Sequence, residues 1–80
     1  MKNKRYFFVY VRRDNTYVAT ELANQEVFNM RRRSLGHMAR IMDFGKTEVH
    51  YVTSINNSRV EVQDFLTHIL TQESVNNAAG

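Results

Sequence analysis

Eighty residues with no cysteine and no proline, eleven basic and eight acidic side chains, and a net charge of +3 make one small domain. A chain this short buries about 60–65% of the surface that its unfolded form exposes, so its core is thin, and without thiols no disulfide or thiolate metal site can reinforce it. That excludes the secreted disulfide scaffolds, leads us to expect a cytoplasmic protein in a reducing compartment, and argues against an ordinary stand-alone enzyme.

The first element in the chain is a strand over residues 5–13, aromatic and β-branched throughout. Its apolar run, Tyr6 to Val11, stops at Arg12 and Arg13. It is shorter than the about 7–15 residues of a signal-peptide core or the about 20 of a membrane helix, so neither export nor membrane insertion is expected. Asp14 and Asn15 signal a turn, because both tolerate left-handed backbone and can bond their own main chain. Thr16 to Leu22 returns as a second strand. Asn24 reads as a helix N-cap, and a helical pattern runs from residue 25 to about Phe44, with Gly45 placed as the left-handed residue that stops it. Thr47 to Ile55 alternates as a third strand. Ser58 and Glu61 have capping-box spacing, and Val62, Phe65, Leu66, Ile69 and Leu70 line one stripe of a second helix. The small, polar stretch from Ser74 to Gly80 reads as a frayed tail, which leaves a single domain over residues 1–73 and a flexible segment over 74–80.

The predicted fold is therefore α/β in the broad sense, a single α+β domain with element order ββαβα. In the first strand Phe7, Val9 and Val11 point to one side while Tyr6, Phe8 and Tyr10 point to the other. A strand apolar on both faces belongs in the middle of a sheet. This predicts a three-stranded mixed sheet of order 2-1-3, with the first strand antiparallel to both neighbours and two helices packed on it. Phe7, Val9, Val11, Leu35, Val49, Phe65 and Ile69 are the expected core. One conflict stands out: on a continuous helix over 25–44, Arg31 falls inside the apolar arc. Either the helix starts near Ser34 with residues 24–33 irregular, or Arg31 snorkels past the arc's edge; one helix, bent or broken near 31–36, is the preferred reading.

Charge is unevenly spread. Residues 1–40 carry nine basic side chains against three acidic, and residues 41–80 carry two against five. Such asymmetry points to a basic face that meets an anionic partner. The densest feature is Met30 to His37, which contains Arg31, Arg32 and Arg33. On a helix Arg33, His37 and Arg40 stand at i, i+4 and i+7, a ridge suited to phosphates or to an acidic protein surface. The rings of Tyr6, Phe8 and Tyr10 have three readings: core beneath a helix, a protein or dimer seam, or a platform for nucleic-acid bases. His37, His50 and His68 sit on separate elements with no metal-ligand spacing, and no glycine-rich phosphate loop is present, so neither metal nor cofactor is expected.

Five residues resemble the set of the GIY-YIG nucleases: Tyr10 in Val9-Tyr10-Val11, Tyr17 in Tyr17-Val18-Ala19, Arg33 with His37, and Asp64. That family also has ββαβα order, and the resemblance would span residues 6–70 and imply metal-dependent cleavage. The chain departs from the pattern at Val9 and Ala19, which replace the signature glycines. It departs again in the long stretch before Arg33, and at Asp64, where the family uses Glu. In size, charge and want of a catalytic set, the chain is also similar to small phage and plasmid proteins that inhibit host machinery, the anti-CRISPR proteins among them. The leading expectation is a non-enzymatic binding protein that docks on a larger macromolecule: a nucleoprotein, an acidic protein or a nucleic acid. Arg31, Arg32, Arg33, His37 and Arg40 supply charge in this reading, and Tyr6, Phe8 and Tyr10 the apolar anchor, with a homodimer as a further possibility. The alternatives are a degenerate GIY-YIG-like nuclease and a small DNA- or RNA-binding regulator.

Overall fold

The computed structural model describes residues 2–79, with side chains up to Glu73. Its elements are β1 (Asn3–Val11), β2 (Tyr17–Leu22), α1 (Gln25–Arg32), β3 (His37–Phe44), β4 (Thr47–Ser54) and α2 (Arg59–Ala79). The strands form one sheet in the order β2-β1-β4-β3. β1 runs antiparallel to β2 and parallel to β4, and β3 runs antiparallel to β4. As its two apolar faces require, β1 is interior. Phe7 and Val9 pack with Met42, Val49 and Tyr51 against Val62, Leu66 and Leu70 of α2. On the other face Tyr6 and Phe8 pack with Leu22 and Val52 against Phe28 of α1. One helix lies on each side, giving three layers.

The sheet has four strands and not three, because residues 25–44 do not form one helix. α1 ends at Arg32, the amide of Ser34 donates to the Arg31 carbonyl, and that of His37 donates to the Ser34 carbonyl. Gly36, at φ +79°, occupies the left-handed position of this turn, which no continuing α-helix contains. From His37 onward the period is two: the pairing with β4 sets Met38, Arg40, Met42 and Phe44 on the α2 side and His37, Ala39 and Ile41 on the α1 side. Gly45 does take positive φ, at +60°, but as the first residue of the two-residue Gly45-Lys46 hairpin loop between β3 and β4. The extra strand reverses the chain once more, so β4 arrives parallel to β1 where an antiparallel third strand was expected.

The turn also moves Leu35. Expected in the core, it is 99% exposed. Phe7, Val9 and Val49 are buried as expected, and Val11, Phe65 and Ile69 are half-buried. Asn15, at φ +68°, closes the β1–β2 turn, where Asp14 accepts from both the amide and the hydroxyl of Thr16. The backbone of α2 continues through Ala79; the side chains of the tail expected over 74–80 lie outside the described residues.

Buried polar groups are paired. Thr53 donates its hydroxyl to the Val9 carbonyl at 2.8 Å and accepts from Asn57 Nδ2 at 2.8 Å, joining β1, β4 and the turn before α2. Tyr51 accepts at its hydroxyl from Gln63 Nε2. At the opposite end of the sheet Arg5 makes a fork. Nε and Nη2 donate to the Glu21 carboxylate at 2.9 and 2.7 Å, and Nη1 and Nη2 reach Glu73 at 3.0 and 3.3 Å. One guanidinium thus ties β1, β2 and α2 together.

Two outcomes follow for stability. Leu66 is fully buried, so Leu66→Ala should cost about 2–5 kcal/mol in urea unfolding. Leu35→Ala should change stability by less than about 0.5 kcal/mol; a core-sized loss there would contradict the turn at residues 34–37.

The second outcome concerns pH. Hydrogen bonds from Arg5 hold the Glu21 carboxyl below the ordinary carboxylate range. This contribution is present above the unfolded value of about 4.3 and is lost as pH falls through the lower folded value. With Glu21 46% exposed, solvent screening keeps it under about 1 kcal/mol. Comparing urea midpoints at pH 6 and pH 3, Arg5→Gln should lose less stability on acidification than the parent protein. Equal losses would show that the fork contributes nothing.

Candidate functional site

The charged face is organised by α1. Asn24 caps it, its Oδ1 accepting from the Val27 amide at 3.0 Å. Arg31 and Arg32 occupy its last turn, where positive charge is favoured by the exposed carbonyl end. At 100° per residue, Val27, Phe28 and Arg31 share the side turned to the sheet, while Gln25, Asn29 and Arg32, at i, i+4 and i+7, share the flank turned to β3.

Arg31 therefore does sit in the apolar stripe. It lies across the sheet with its guanidinium carbon 5.2 Å from the centre of the Phe8 ring. The methylene stem extends the apolar cover and the charged head stays in solvent, the snorkelling arrangement. Around Phe8 the register gathers two more rings, Tyr10 at 5.7 Å and His37 at 5.6 Å. Ser54, opposite His37 on β4, is small enough to let the imidazole reach across. Tyr6 and Phe8 are half-buried beneath α1, while Tyr10 is 39% exposed. The three side-by-side exposed rings that would have made a two-fold seam are thus reduced to one.

The helical ridge expected from Arg33, His37 and Arg40 is not formed. Arg33 is the C-cap of α1, His37 begins β3 on the α1 side, and Arg40, at the alternate register of β3, contributes to the lining of the niche between α1 and β3. The structure instead brings Arg31 and His37 each to the Phe8 ring, which Tyr10 also contacts, with Arg32 and Arg33 following at the end of α1. Among the described residues the ion pairs are Lys2–Asp43, Arg5–Glu21 and Arg5–Glu73, and Glu48 contacts His50. Arg31, Arg32 and Arg33 have no carboxylate partner within that set.

Next to this cluster, between the flank of α1 and β3, lies a niche of about 190 Å³. Its wall is a trio of rings in mutual contact: Tyr6–Phe28 at 5.4 Å, Tyr6–His50 at 5.2 Å and Phe28–His50 at 5.8 Å. Glu48 Oε1, 2.7 Å from His50 Nε2, fixes the imidazole. Gln25, Asn29 and Arg32 form the polar rim, and Ala39, Arg40 and Ile41 of β3 line the strand side. Sequence reasoning missed Phe28, His50, Gln25 and Asn29 as site residues. The signal for the rim is the i, i+4, i+7 spacing that ends on Arg32, and it was hidden by extending the helix to Phe44.

The residues that resemble the nuclease set do not converge. Tyr10 and His37 face the α1 side of the sheet, whereas Tyr17 faces the α2 side, stacked on Phe65 with its hydroxyl donating to Glu61 at 2.8 Å. Asp64 is exposed on α2. No group of three acidic or histidine side chains suited to a metal ion occurs among the described residues, and no helix there is long and apolar enough to cross a membrane.

Compared with models of known protein families, with curated proteins and with solved structures, the chain matches none.

Proposed function

We propose that this chain is a non-enzymatic binding protein that presents its α1 face to an anionic macromolecule. The observation that carries the reading is the cluster of Arg31, Arg32 and Arg33, free of carboxylate partners among the described residues, beside an aromatic patch in which Arg31 already lies on Phe8. Capping a helix of eight residues favours positive charge in its last turn but does not demand three adjacent arginines. Of the carboxylates near this face, Asp43 pairs with Lys2 and Glu48 contacts His50, while Glu26 stands in the first turn of α1, at the opposite end from the arginines. Positive charge therefore dominates the C-terminal end of α1, where the surface is also able to stack. Such a surface attracts polyanions over about a Debye length and then holds them by direct pairing. The exposed Tyr10 and the arginine stems supply apolar contact.

Retention on immobilised heparin, read as the eluting salt concentration, tests the face and not merely the charge. Arg31→Gln with Arg33→Gln should elute at clearly lower salt than the parent protein. Lys46→Gln with Arg59→Gln removes the same charge from the β3–β4 loop and the start of α2, and should elute close to the parent. Equal shifts for the two pairs would mean that net charge alone governs retention, and the reading would fall.

A further inference from the structure

Resting on the reading of the α1 face as a polyanion surface, the geometry points to its partner: we propose that the partner is single-stranded nucleic acid and that the niche beside α1 seats one of its bases. Three features of the niche belong together. Its wall is built from the rings of Tyr6, Phe28 and His50, packed on one another and held by the Glu48 contact. Its rim carries two primary amides, Gln25 and Asn29, which make no hydrogen bond to protein among the described residues. A side-chain amide offers one acceptor and two donor hydrogens, the pattern found along the edges of nucleobases. At the same rim Arg32 stands without a carboxylate partner, placed for the phosphate of the nucleotide whose base enters.

The size of the niche selects among anionic partners. At about 190 Å³ it is below the range of about 300–1,000 Å³ typical of pockets for drug-sized ligands, and admits one flat ring system. An acidic peptide would use Arg31 to Arg33 but would place nothing flat and hydrogen-bonding between the rings and the amides. A duplex keeps its bases stacked and paired, so it too would meet only the arginines. A single strand has unstacked bases and a phosphate for each of them, and Arg31 and Arg33 continue the cationic track away from the niche. Tyr10, at the end of the same sheet face, is a second exposed ring for a neighbouring base.

The test compares strands that differ only in their bases. Fluorescence anisotropy with a labelled 12-nucleotide oligothymidylate should give binding about tenfold or more tighter than an abasic strand of equal length and charge, the scale of one base stacked on aromatic side chains. A 12-base-pair duplex should resemble the abasic strand. Ala39→Leu fills the niche from β3, and should bring oligothymidylate down to the abasic level while abasic binding is unchanged. Gln25→Ala with Asn29→Ala, at the α1 rim of the niche, should act in the same direction and does not depend on repacking the sheet. Equal binding of base-bearing and abasic strands by the parent protein would overturn the niche while leaving the polyanion reading intact. Failure of both strands to bind would overturn the two together. Thymidine monophosphate binding as tightly as the oligomer would overturn the strand as the source of the base. Displacement of the oligomer by polyglutamate at equal charge concentration would overturn nucleic acid in favour of an acidic protein.

Discussion

Everything in this molecule depends on β1 being apolar on both faces. A strand with Phe7 and Val9 on one side and Tyr6 and Phe8 on the other cannot leave either side to water without losing roughly 1.5–3 kcal/mol for each large side chain exposed. Both faces of the sheet must therefore be roofed, and an 80-residue chain has only two helices with which to do it. α2, with 21 residues, closes one face over most of its length, while α1, with eight, closes only part of the other. The uncovered part of that second face is where Tyr10 emerges, and the gap at the flank of α1 is the niche. The candidate site thus arises from an imbalance between the areas of the two roofs.

Local chemistry was largely legible in the sequence, and long-range arrangement was not. The Asn15 turn, the Asn24 cap, the stripe of α2 and the central place of β1 each rest on a signal within a few residues. The region from His37 to Phe44 defeated the same reasoning because Met38, Ala39 and Met42 are good helix formers, and the strand preference of Ile41 and Phe44 was too little to tip the pattern. Tertiary context decided instead: β4 offers a full edge, and eight residues pair with it. Gly45 reads from the sequence as an interruption, yet positive φ serves a helix end, a connecting turn and a hairpin loop alike. Gly45 was assigned to the first and belongs to the third.

The same misreading governs what was legible of the site. Arg31, His37, Phe8 and Tyr10 were all singled out, but their meeting is a property of the sheet and not of a helix face. His37 reaches Phe8 only because it starts a strand two places away from β1, across the small Ser54. Helical spacing groups Arg40 with them, whereas along β3 it takes the alternate register from His37 and lines the niche instead of the Phe8 cluster. The conflict noted at Arg31 was itself informative. A charged residue inside an apolar stripe marks a place where the stripe meets a ring and not an aliphatic core.

The brevity of α1 has a dynamic consequence. Helices below about 12–15 residues are marginal in water on their own, so this one exists because Phe28, its single buried residue, is held by the sheet. The rest of its contact with the sheet is half-buried Val27 and the stem of Arg31. Such an element opens locally at a free energy well below that of global unfolding, so its amide hydrogens should exchange with solvent while those of β1 and β4 remain protected. The part of the molecule that carries the most positive charge is thus also the part least firmly anchored. A bound partner pressed against it would supply the contacts that the sheet alone does not, and slowed exchange confined to residues 25–32 would register occupancy of this face without any label on the partner.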